Sequence, residues 1–176
     1  LCSKIIEQVS VRCTSYFEPK VDVFIYSGNE SRVTRREPES LEIWAHSFDY
    51  QYYLQTKSKK SKFESLGQYV VFIDQCAPSH PDYAFHGNVA PVSEDIYYSS
   101  MNAFFEVFER IMGIKIVISA HPRRKSTERD FWEGRQVVIG KTPELISGAK
   151  LVISHYSTAL SFAVLNRKPI LQVTTD

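Results

Sequence analysis

Two short segments of this chain carry residue types suited to holding a phosphate. His121-Pro122-Arg123-Arg124-Lys125 sets an imidazole, a rigid turn and three cations side by side. His155-Tyr156-Ser157-Thr158 sets two hydroxyls beside a further imidazole. Arginine offers paired N–H donors to phosphate oxygens. Pro122 fixes its own φ and removes a backbone donor that would otherwise need an acceptor. Small hydroxyl residues opening a helix leave N–H groups free for an anion, and phosphate is the anion they suit. Each segment also has a plainer reading, with Ser157 as a helix cap and Arg123 to Lys125 as a solvated face. Meeting at one end of one sheet would make the two segments a site, so the elements that carry them decide the matter.

Those elements are legible as alternating strands and helices. Gln68 to Asp74 (QYVVFID) is a continuous, β-branched apolar run, the pattern of a strand buried on both faces. Ile114 to Ala120, Gln136 to Ile139, Leu151 to Ser154 and Ile170 to Val173 read as further strands. Ser93 to Met112 places Ile96, Tyr97, Met101, Phe105, Phe108 and Met112 on one stripe of a helix. Ser93 caps it, Glu94 and Asp95 sit in its first turn, and Gly113 stops it. Thr142 to Ser147 is a short helix with Pro143 at its first position, and Ser157 to Leu165 is another. The chain is therefore expected to be α/β, a Rossmann-like parallel sheet flanked by helices, with right-handed crossovers. Ligands of such sheets lie beyond the carboxyl ends of the strands, which brings Asp74-Gln75, His121-Pro122 and His155 to Thr158 to one face. Asp74 is either an acid at that face or the cap of the loop running to Pro78. His155 either reaches a ligand or packs under the end of its strand.

The amino-terminal part is simpler to bound than to read. Val21 to Tyr26 and Leu41 to Ala45 look like strands and Ser3 to Val11 like a helix, forming a preceding α/β unit or the edge of the same sheet. Thr56 to Ser65 (TKSKKSKFES) is polar and basic, a linker or surface loop. It divides the chain into a partial α/β segment with its linker, 1–66, and a Rossmann-like domain, 67–176. Tyr50, Tyr52 and Tyr53 either pack a short helix or stack on a ring.

Composition narrows the function classes. The 176 residues include 10 Tyr and 11 Phe, enough to bury a substantial core. A formal charge of +1 gives no footing for nucleic acid. Cys2, Cys13 and Cys76 have no metal-ligand spacing and fit reduced thiols of a cytoplasmic protein. His80 with Asp82, and His46 with Asp49, lack ligand spacing too, so no metal is expected. No glycine-rich phosphate loop occurs. No run approaches the roughly 20 apolar residues of a membrane span. Opening on Leu1 and closing on a strand, Pro169 to Asp176, point to a fragment.

IVISAHPRR (Ile116 to Arg124) and GKTPELISGAKLVISHYSTALSFAVLNRKPIL (Gly140 to Leu171) resemble the C-terminal, donor-binding domain of GT-B glycosyltransferases of bacterial surface-polysaccharide biosynthesis. The likeness is to sialyltransferase- and Kdo-transferase-like enzymes and to the polyglycerol-phosphate polymerases of teichoic acid synthesis, and it spans Gln68 to Asp176. It implies transfer of a sugar from a nucleotide-activated donor, a CMP-sugar among the options, to a capsule, lipopolysaccharide or other lipid-linked glycan acceptor. The chemistry it implies is inverting and metal-independent, with no cofactor beyond the donor. His121 and Pro122, with Arg123 and Arg124, would hold and neutralise the leaving phosphate, while Ser157 and Thr158 orient it. Thr142 and Glu144 would hold base and ribose. His121 and Asp74 are the catalytic candidates, although the family's base usually comes from the N-terminal domain, here a missing partner. The resemblance places the protein in the cytoplasm, with Lys57 to Lys62 suited to peripheral contact with an anionic membrane face. Alternatives on the same fold are a UDP-sugar epimerase, a glycerol-phosphate transferase and a non-catalytic nucleotide-sugar-binding module.

Overall fold

The computed structural model describes residues 21–31, 40–59, 63–122 and 130–174. The chain divides into two compact units, Leu1–Phe48 and Asp49–Asp176. In the first, β1 (Val23–Tyr26) and β2 (Leu41–Trp44) pair in parallel as a sheet of their own, from Val23 opposite Leu41 to Tyr26 opposite Trp44. Tyr26 stacks between Phe24 and Trp44, with ring centroids 6.0 and 5.1 Å apart. The helix expected over Ser3 to Val11 lies outside the described residues.

The second unit carries the α/β domain. Its elements after α1 (Phe48–Thr56) are β3 (Tyr69–Ile73), α2 (Pro81–Phe85), α3 (Glu94–Met112), β4 (Lys115–Ala120), β5 (Val137–Ile139), α4 (Thr142–Gly148), β6 (Leu151–Ser154), α5 (Leu160–Leu165) and β7 (Ile170–Gln172). The strands form one five-stranded parallel sheet in the order β5-β4-β3-β6-β7. This is the Rossmann-like α/β architecture that the alternation of elements predicts. β3 lies at the centre, which is why every residue of its apolar run is buried.

Alternate residues of β3 feed two cores. Tyr69, Val71 and Ile73 join Val117, Val152, Leu145, Ile146 and Phe162 beneath α4 and α5. Val70 and Phe72 join Ile116, Ile118 and Ile153 beneath Tyr97, Met101 and Phe105 of α3. The α1 helix belongs to the first face: Tyr52 meets Phe162 edge-on at 5.9 Å, and Asp49 accepts a hydrogen bond from Ser161.

Helix α3 starts and stops where its caps require. Ser93 Oγ accepts the Ile96 N–H at 3.4 Å, and Gly113 takes the left-handed conformation, φ +62°, that ends the helix. Its buried stripe is narrower than the spacing predicts. Ile96 and Met112 are 62% and 59% exposed, because the sheet covers only the middle of the helix. Helix α5 also begins later than expected. Ser157, Thr158 and Ala159 form a turn of i→i+3 bonds to Leu160, Ser161 and Phe162, and regular α-helix starts at Leu160.

One core residue lies in a stretch that reads as charged loop. Trp132 is buried against Phe72, Tyr98 and Phe105, with centroids 5.6, 4.9 and 5.7 Å away. Arg135 anchors that stretch to α3 by bonding Glu109 Oε2 at 3.0 and 3.2 Å and Asn102 Oδ1 at 3.1 Å. Glu109 in turn accepts the Ile116 N–H at 2.8 Å, tying the start of β4 to the same network. Among the described residues, no helix is long and apolar enough to cross a membrane.

Candidate functional site

The chain leaves β3 toward β4 and β5 on one side, then returns to β6 on the other. The strand order therefore reverses between β3 and β6, and a crevice opens beyond their carboxyl ends. A cleft of about 1420 Å³ lies there. His121 and Pro122 line it from the end of β4, Ser157 and Thr158 from the turn before α5, Asp74 from the end of β3, and Thr142 from the start of α4. Six of the expected site residues thus share one cavity wall, although they come from four separate loops.

Glu144 is the expected site residue that the fold turns elsewhere. It does not line the cleft. Its carboxylate lies 3.8 Å from Lys141 Nζ and faces the Tyr52 phenol on α1, with Oε2 buried and outside normal hydrogen-bond geometry. Burial, and then this carboxylate, raise the Tyr52 pKa above its usual 10.0. Thr142 and Glu144 stand two residues apart in α4, just over half a turn, so they lie on opposite faces, and the α1 helix takes the face of Glu144. Arg123 and Arg124 lie outside the described residues, as do Lys60, Ser61 and Lys62 of the basic run expected to suit a membrane face.

Asp74 is committed to its loop. Its Oδ1 accepts the Cys76 N–H at 2.8 Å, its own N–H bonds the Ser119 carbonyl at 3.0 Å, and its side chain is buried. This is the capping arrangement, and it holds Cys76 in the left-handed region at φ +57°. Ser157 acts locally too, its Oγ accepting the Ala159 N–H at 3.2 Å. Among the described residues, the N–H groups of Ser157 and Thr158 bond no carbonyl or side chain. The late start of α5 means that a donor here is these individual groups rather than the dipole of a long helix.

His155 resolves into a packed and bonded role at the cleft wall. Nδ1 stands 2.7 Å from the Val173 carbonyl, and Nε2 stands 3.2 Å from the Tyr97 hydroxyl. A carbonyl only accepts, so Nδ1 carries a proton, and in the neutral ring Nε2 accepts from Tyr97. The ring also meets Phe72 edge-on at 5.8 Å. His155 thereby ties the exits of β6 and β7 to α3.

Ser119 and Tyr83 of the cleft wall went unmarked in the sequence, and His80 was weighed there only as a metal ligand or acid–base group. His80 follows the β3 loop and brings its ring within 5.0 Å of His121, while its Nδ1 accepts the Asp82 N–H at 3.3 Å. Ser119 and Thr142 share a hydroxyl–hydroxyl bond of 2.7 Å. Gln75 Oε1 accepts the Tyr156 N–H at 3.2 Å, bridging the loops on either side of the crevice. Tyr83 also lines the wall, with its pKa raised above 10.0 by burial first and by Tyr156 second. Strand-end position had marked Gln75 and was the available signal for Ser119; His80 and Tyr83 sit at or on α2, whose five residues carry no usable period. Among the described residues, no three His, Cys, Asp or Glu side chains group as metal ligands.

Comparison of the chain with protein-family models, with curated proteins and with solved structures finds no match. The fold class therefore stands on the topology, and function has to be argued from the cleft.

Proposed function

We propose that this chain supplies the donor-binding domain of a glycosyltransferase that uses a nucleotide-activated sugar. The observation that carries the reading is the meeting of His121-Pro122 and Ser157-Thr158 in one cleft at the strand-order reversal. In such a transfer the bond between the anomeric carbon and the phosphate oxygen breaks, and negative charge gathers on the phosphate. Donors already fixed around that oxygen lower the barrier, because they need no reorganisation when the charge develops. The Ser157 and Thr158 N–H groups, the Thr158 hydroxyl and the His121 imidazole are the groups that would supply it. The acceptor, a surface-polysaccharide or lipid-linked glycan at the cytoplasmic face of the membrane, would lose its proton to a base on another domain of the full protein.

A second reading, a nucleotide-sugar-binding module without catalysis, draws on the acids of the cleft wall. Those acids are Asp74, bonded to the Cys76 N–H, and Asp82, 3.5 Å from His80 Nδ1. Asp74 is tied to its own loop and Asp82 to His80, which favours a base from beyond this unit.

Thermal shift and calorimetry with CMP, CDP, UDP, GDP and TDP test the proposal on the wild type and on His121→Ala. A ligand at 100 times its Kd stabilises the native state by about 2.7 kcal/mol, so a match raises the melting temperature without any knowledge of the acceptor. One nucleotide should bind, and His121→Ala should weaken it at least tenfold. Failure of all five at millimolar concentration, or binding indifferent to His121, would overturn the reading.

A further inference from the structure

The cleft is larger than a phosphate requires. Its volume of about 1420 Å³ exceeds the roughly 300–1,000 Å³ of ordinary small-molecule pockets. Aromatic rings continue outward from the proposed phosphate end. His121 lies 5.0 Å from His80, and His80 lies 6.2 Å from Tyr83. Tyr156 enters the same cleft from the loop after β6 and is 73% exposed. Tyr83, on α2, lines the same cleft. The Gln75 side chain holds the Tyr156 backbone, so the exposed ring springs from an anchored point. Glu144, which would otherwise be sought at the ribose, faces α1 and leaves the nucleoside without that contact.

We propose that Tyr83 and Tyr156 form a ring-stacking subsite of the cleft, which takes a ring carried on the bound phosphate. That ring is the nucleobase, carried on the phosphate through the ribose, or the pyranose, joined to it through the anomeric oxygen; both present a face that an aromatic ring can cover. The subsite rests on the phosphate reading of the inner cleft. Stacking on an aromatic side chain tolerates different rings, because it reads a flat face rather than a hydrogen-bond pattern. An exposed tyrosine on a held backbone gives such a face at small ordering cost.

Calorimetry on the full chain tests this with pyrophosphate, CDP, UDP and UDP-N-acetylglucosamine as probes. Tyr156→Ala should weaken the best ring-bearing probe about 10-fold, leave pyrophosphate within about twofold, and be rescued by Tyr156→Phe. Equal losses for UDP and its sugar conjugate assign the base to the subsite, and a loss for the conjugate alone assigns the pyranose. Unchanged melting temperature without ligand confirms that the variant folds. Suppose His121→Ala abolishes nucleotide binding while Tyr156→Ala and Tyr83→Ala leave every ring-bearing probe within twofold: the phosphate site then stands and the stacking subsite falls. If no probe binds the wild type, both fall.

Discussion

Removing the imidazole of His155 should cost more stability than its half-exposed position suggests. Its Nε2 is the partner of the Tyr97 hydroxyl, and Tyr97 is fully buried. A buried hydroxyl that loses its acceptor costs about 1–3 kcal/mol. The edge-on contact with Phe72 and the tilted one with Tyr97, at 5.8 and 5.7 Å, add about 0.5–1.5 kcal/mol. The Val173 carbonyl is half-buried and can take water instead, so it adds little. Tyr97 lines the cleft, and water there offsets part of the first figure. His155→Ala should therefore lose about 2–3 kcal/mol. Tyr97→Phe should lose about 0.5–1.5 kcal/mol, and the double variant should fall short of the sum by about 1 kcal/mol. Urea unfolding of the four proteins, compared at equal m-value, measures the coupling. A coupling within about 0.3 kcal/mol of zero would refute the bond as the reason His155 is held.

Three further outcomes follow from the same geometry. Glu109→Ala removes the nearer carboxylate of Arg135, which keeps Glu133 at 3.8 Å and the Asn102 and Trp132 oxygens, and takes the acceptor of the Ile116 N–H; it should cost about 1–3 kcal/mol by urea unfolding, and a loss under about 0.5 kcal/mol would show that the network carries no energy. Ser119→Ala removes the 2.7 Å bond to Thr142 and should cost about 1 kcal/mol, since the Thr142 hydroxyl can hydrate from the cleft. The folded state holds the Tyr52 phenol above its usual 10.0, by burial first and by Glu144 second. Its contribution to stability is complete below pH 10 and is lost as pH rises from 10.0 through the raised folded value. Glu144→Gln should move the Tyr52 ionisation back toward 10.0, read as tyrosinate absorbance against a Tyr52→Phe control; an unmoved titration would sever the pair.

How far the sequence could be read depended on whether one element or several decided the outcome. β3 and β6 were plain because a strand buried on both faces shows as an unbroken apolar run, and α3 because Ser93 and Gly113 are local caps. Periodicity does not say how much of a helix its neighbour covers, so Ile96 and Met112 were assigned to a core that ends short of them. Trp132 packs against Phe72, Tyr98 and Phe105, and Arg135 bonds both its carbonyl and Glu109, partners that no local pattern predicts. For the cleft, the strand-end rule found His121, Ser157, Thr158 and Asp74, and the family resemblance added Thr142 and Glu144. Neither could show that Glu144 turns toward Tyr52, because the competing neighbour comes from α1. The His80–His121 contact was hidden for the same reason: it forms only when two loops of a folded sheet close over one crevice.

Mapping a bound nucleotide by amide chemical shifts tests the central claim most directly. The nucleotide that raises the melting temperature most would be titrated into the isotope-labelled chain. The account predicts that the largest changes fall on Gln75, His121, Ser157 and Thr158, around the reversal between β3 and β6. Changes centred instead on the small groove of Glu106, Glu109, Arg110 and Lys115, or on β1 and β2, would contradict it.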